Sequence, residues 1–135
     1  MWLLLVLGLL LAGGQQPDGV QVELFDTDKE RVVRQFANTA PFQQEAKEIL
    51  DSVSGRVMEL NPPLDKALIV KIPLSPVQKL QVPKARLDAS IYQMFVVMPK
   101  HGQRRPYLIL HTEKEETLVV EFARDVEKLR HLIEW

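Results

Sequence analysis

Apolar and polar residues alternate through Val20–Phe25, "VQVELF", which predicts a short strand. The segment "DTDKERVVRQF" that follows predicts a helix. Asp26 or Thr27 serves as its N-cap, and Thr27 with Glu30 has capping-box spacing. Asn38 to Pro41 interrupts that helix, and Thr39 recaps it with Pro41 near the first turn. Phe42, Ala46, Ile49, Leu50, Val53, Val57 and Leu60 then fall at helical spacing among Gln, Glu, Lys and Asp, until "NPP" (61–63) ends the run. Four stretches rich in β-branched and aromatic residues come next: 67–74, 90–98, 107–112 and 117–122. The connections "PKHGQRRP" and "EKEE" have hairpin length, so the last three strands form an antiparallel meander. "RDVEKLRHLIEW" closes the chain as a short helix with Val126, Leu129, Leu132 and Ile133 on one side.

These elements define an α+β domain: an antiparallel four- to five-stranded sheet packed on a long N-terminal helix, with a short C-terminal helix. The order is that of cystatin-like folds, an analogy of element order alone, which carries little about function. In the strand 90–98, Ile91, Phe95 and Val97 occupy one face and Tyr92, Met94, Val96 and Met98 the other. A sheet with one wet face alternates cleanly, so these central strands are covered twice. The long helix covers one face. The C-terminal helix, a retained leader or a second copy of the chain covers the other.

From Trp2 to Ala12 nothing is charged or polar. A helix over 1–14 reaches only about 21 Å, short of the roughly 30 Å core of a bilayer. The run fits a signal peptide, 1–14, with Ala12 and Gly14 as the small residues before cleavage at Gln15; a short retained anchor is the alternative. No Lys or Arg precedes the run, and Gly14 stands where a lipobox would place cysteine. Residues 15–19 then form a linker, and 20–135 one domain. The chain has no cysteine, which excludes a disulfide-stapled scaffold and is compatible with bacterial export.

Candidate chemistry is sparse. His101, His111 and His131 fall in a loop, a strand and a terminal helix, without ligand-like spacing. Tyr107, His111 and Glu113 share a strand face by parity, a strand edge running into its turn. Ser52, Ser54, Ser75 and Ser90 lack a diagnostically spaced histidine, and "SVSGR" has neither the glycines nor the ending of a phosphate loop. Glu45, Glu48 and Asp51 lie on the polar side of the helix and represent a solvated face. No catalytic motif, cofactor or metal site is expected.

Charge changes the picture more. The net charge is −1, yet residues 61–112 carry eight bases against two acids. The acids concentrate on either side of that segment. Lys79, Lys84 and Arg86 in "KLQVPKAR" and Lys100, Arg104 and Arg105 in "KHGQRR" are expected in loops or hairpin tips. They are the candidate contacts to a protein or an anionic envelope component, including peripheral contact with a membrane. Nucleic acid is disfavoured, since no aromatics interleave the bases. The expected function is that of a small exported bacterial binding protein of the cell envelope, non-catalytic and meeting its partner through these loops. Two alternatives stand beside it. One is a small-molecule or hydrolytic pocket under a curled sheet, lined by Tyr92, Met94, His111 and Glu113. The other is a structural subunit, such as a homodimer, that buries its second sheet face.

Overall fold

A computed structural model describes residues 21–59, 62 and 64–135. The leader, its cleavage point and the linker 15–19 lie outside the described residues.

The chain builds β1 (Val22–Asp26), β2 (Arg31–Phe36), α1 (Ala40–Asp51), β3 (Val53–Arg56), β4 (Ala67–Val82), β5 (Leu87–Pro99), β6 (Tyr107–Thr112), β7 (Thr117–Phe122) and α2 (Glu127–Leu132). Seven strands form one sheet in the order β2-β1-β4-β5-β6-β7-β3, and every neighbouring pair is antiparallel. The expected α+β domain with four or five strands on a long N-terminal helix is thereby overturned. The described fold is mostly β, with two short helices.

Two local causes account for this. The segment 26–36 is a hairpin because its capping groups are spent on the sheet. Thr27 Oγ1 donates to the Ala67 carbonyl at 3.2 Å and accepts from the Ala67 N–H at 3.0 Å. Asp26 Oδ1 takes the Asp28 N–H at 3.0 Å, and Glu30 turns the chain at φ 54°. The adjacent Val32 and Val33 then gain as strand residues what they would lose as helix residues. The second helix does form behind Thr39, with Pro41 in its first turn, but it stops at Asp51. Ser52 closes it, its N–H and its hydroxyl both donating to the Ile49 carbonyl. Val53 and Val57, whose spacing suits a helix, instead enter and leave β3, which pairs with β7.

β4 and β5 run well beyond their apolar cores. Pairing shifts register between Pro73 and Gln78, and the tip closes with a single turn of 3-10 helix at Pro83–Ala85 and a left-handed Arg86 at φ 53°. Asn38 and Gln43 brace that shift from the start of α1: their amides donate to the Pro73 carbonyl at 3.0 and 2.8 Å, and Gln43 Oε1 accepts from the Ser75 N–H at 3.0 Å. The first half of "KLQVPKAR" is therefore strand and the second half the turn at its tip, and Leu80 and Leu87 on the distal hairpin join the core.

Both helices lie on the same face of the sheet. Phe42, Ala46, Ile49 and Leu50 from α1 share a core with Leu129 of α2 and with Ile133 just beyond it. The sheet contributes Val70 of β4, Val96 of β5 and Leu110 of β6 to that core, all three fully buried. The C-terminal helix therefore does not cover the second face, contrary to one of the covers expected for it. That face carries its own apolar cluster of Phe25, Ile69, Phe95, Val97, Tyr107 and Ile109. Because β3 lies beyond β7 at one edge and β4 lies in the middle, the connection from β3 to β4 must cross β7, β6 and β5. Val57 and Leu64 from that connection pack into the second cluster.

A bulge between Ile91 and Gln93 corrects the expected facing of β5. Ile91 joins Met94, Val96 and Met98 toward the helices, while Phe95 and Val97 belong to the opposite cluster.

Candidate functional site

The six basic residues singled out from the sequence fall into two groups at opposite ends of β5. That strand has 13 residues, about 40 Å of chain at roughly 3.3 Å per residue.

At the β4–β5 tip, Lys84 lies in the 3-10 turn and Arg86 follows it, Lys84 exposed. Arg56 reaches them from β3. Its Nε donates to the Ala85 carbonyl and its Nη2 to the Arg86 carbonyl, each at 3.2 Å. The sheet has curled far enough for the hairpin tip to meet the strand at its far edge. The three cations gathered there make no ion pair among the described residues. Lys79, further back on β4, is 3.9 Å from Asp88; both are well exposed, so the contact contributes little.

The β5–β6 connection differs, because its charges are answered from within. Lys100 Nζ lies 2.7 Å from Asp26 Oδ1 and 2.9 Å from Asp28 Oδ2. Burial would raise the Asp26 carboxyl, but the bond from Lys100 and the Asp28 and Lys29 N–H groups hold it below its ordinary value. Bonding to Asp26 and then Asp28 pushes Lys100 upward. Arg104 Nη1 is bound by the Glu59 carboxylate, and the guanidinium lies over the Tyr107 ring at 5.1 Å. Burial pushes the Tyr107 phenol up to about 12, Arg104 opposing and Glu59 assisting. Arg105 Nη2 donates to the Phe122 carbonyl at 3.5 Å. Beside these side chains opens a cavity of about 460 Å³, with Ser54, Val57 and Phe122 on its walls.

The alternative quartet does not converge. Met94 is fully buried toward the helices. Tyr92 and His111 are neighbours, with ring centroids 6.1 Å apart. His111 Nδ1 meets Gln93 Oε1 at 3.2 Å and so donates to it, and burial lowers its pKa. Glu113 lines a separate cavity of about 350 Å³ with Lys79 and Asp88. His101 and His131 are both exposed, in the β5–β6 connection and in α2.

Two ion pairs made by buried carboxylates escape the sequence pattern. Glu45, expected on a solvated face, is fully buried. Its two oxygens accept from Arg124 Nε at 2.8 Å and Nη2 at 2.9 Å, a side-on fork. The Arg124 N–H also donates to Ser52 Oγ at 3.1 Å, which ties the end of β7 to the end of α1. The signal was present: Glu45 stands three residues after Phe42 and four before Ile49, on the apolar side of α1. On the second sheet pair, β1 with β4, Lys71 Nζ lies 3.1 Å from Glu23 Oε1, both nearly inaccessible, and Gln35 Nε2 donates to Glu23 Oε2 at 3.3 Å. A single lysine inside the apolar run "ALIVKIPL" marks that site.

Compared with known protein families, curated proteins and solved structures, the chain matches none.

Proposed function

We propose that this is an exported, non-catalytic binding protein that meets an anionic component of the cell envelope through Arg56, Lys84 and Arg86. The observation that carries the reading is the gathering of these three cations at the seam between β3 and the β4–β5 tip, where no carboxylate pairs with them among the described residues. Like charges held together repel unless a counter-charge arrives, so such a cluster favours an anionic partner. Export rests on the apolar run Trp2–Ala12, with cleavage before Gln15. Lys100 and Arg104, already matched by Asp26, Asp28 and Glu59, contribute less to this contact.

The test is co-sedimentation with vesicles rich in phosphatidylglycerol, against vesicles of phosphatidylcholine alone. Each cation near an anionic surface contributes about 1 kcal/mol, so Lys84→Ser with Arg86→Asn lowers the affinity by roughly 10- to 30-fold. Asn tolerates the left-handed conformation at position 86. Equal binding of the double variant and the parent, with thermal midpoints unchanged, refutes the reading.

A further inference from the structure

We infer that the cavity beside Arg104 binds a small organic monocarboxylate, and that Glu59 competes with it for the guanidinium in the free protein. This site lies at the other end of β5 from the cationic seam and does not depend on it.

Arg124 shows what a fully engaged arginine looks like in this molecule: both oxygens of Glu45 seated on its Nε–Nη2 edge. Arg104 is engaged from the other side. Glu59 takes Nη1, and Nε is enclosed with no acceptor among the described residues. A buried donor without an acceptor is unfavourable, so that edge is left with bonding capacity to fill. Releasing Glu59 frees the guanidinium to turn its Nε–Nη2 edge toward the cavity, where a ligand carboxylate completes the fork.

The release is cheap. Glu59 is about half exposed, so water takes up its carboxylate when it leaves Arg104. Charge then selects the ligand. Arg104, Arg105, Glu59 and Glu121 all line the cavity, so its charge is balanced while Glu59 is in place. When Glu59 leaves, one positive charge is uncompensated, and a monoanion restores the balance where a dianion overshoots it. Val57, Pro106 and Phe122 offer apolar walls for a short hydrocarbon or aromatic tail, and a volume of about 460 Å³ admits one. Tyr107 beneath the guanidinium stays neutral and does not compete as an anion.

The probe is phenylacetate, followed by calorimetry and by the Arg104 Nε–Hε resonance, with phenylacetamide and inorganic phosphate as comparisons. Glu59→Gln removes the resident carboxylate and tightens phenylacetate binding by about tenfold, while Arg104→Lys, which keeps the charge and loses the fork, weakens it by about tenfold. Phenylacetamide and phosphate bind more weakly than phenylacetate. No saturable binding to Glu59→Gln overturns the inference. So does phenylacetamide or phosphate binding as tightly as phenylacetate. Because Glu59 is exposed, that variant folds like the parent, and the result stands even if Arg104→Lys does not fold.

Discussion

Arg124 and Arg104 both meet a glutamate across an element boundary, and they teach different lessons. Arg124 meets a carboxylate that is fully buried, on a helix, with both oxygens fixed. Arg104 meets one that is half exposed, on a connection, from its Nη1 side only. In the first case the partner has no alternative but this cation, since an uncompensated buried carboxylate is costly. In the second, water already solvates the partner, and separation costs little. The same residue type holds the fold together in one place and remains available in the other.

The sharpest way to break the comparison is to remove each cation in turn. Arg124→Gln leaves Glu45 buried without its counter-charge, and the thermal midpoint falls by on the order of 10 °C. Arg104→Gln moves it by only about 2 °C, because the half-exposed Glu59 it leaves behind is solvated by water. Equal shifts by calorimetry would remove the distinction.

A smaller effect is read from acid titration. His111 has a depressed pKa in the fold, so the unfolded chain takes the proton first as pH falls below about 6.5. Stability present above that pH is lost down to the folded value, at no more than about 1.4 kcal/mol per unit, and His111→Gln removes this slope. The Asp26 carboxyl, lowered against Lys100, adds a second loss that begins only below about pH 4. Denaturant midpoints measured from pH 8 to pH 3 separate the two. The mildest test leaves stability alone. In a Tyr92→Phe background Tyr107 is the remaining phenol, and its ultraviolet titration has a midpoint near 12. Arg104→Gln moves that midpoint up and Glu59→Gln moves it down, which reports on the pair directly.

The strands 107–112 and 117–122 and the cover on both sheet faces were legible because their residues are apolar at every position or at alternate ones. The hairpin 26–36 was not. Thr27 and Glu30 satisfy a helix-start pattern, and only the distant Ala67 backbone decides that Thr27 bonds across the sheet. Val53 and Val57 failed for a related reason, since a spacing of four suits either period. At the candidate sites the basic residues were visible and their grouping was not. Nothing local to Arg86 announces Arg56, because the two meet only through the curl of the sheet. Glu45 is the instructive miss: its polarity outweighed its position, although its helical neighbours placed it inside.

One consequence of the strand order concerns time. β3 is made early, yet its only sheet neighbour among the described residues is β7, and Glu45 waits on Arg124, more than half the chain later. As the polypeptide leaves the ribosome, α1 and β3 emerge with an unanswered buried-type carboxylate and an unpaired edge. They stay so until residues 117–124 arrive. Synthesis of residues 117–124 therefore closes this end of the sheet and neutralises Glu45 in one event, and a nascent chain stalled before Thr117 has neither.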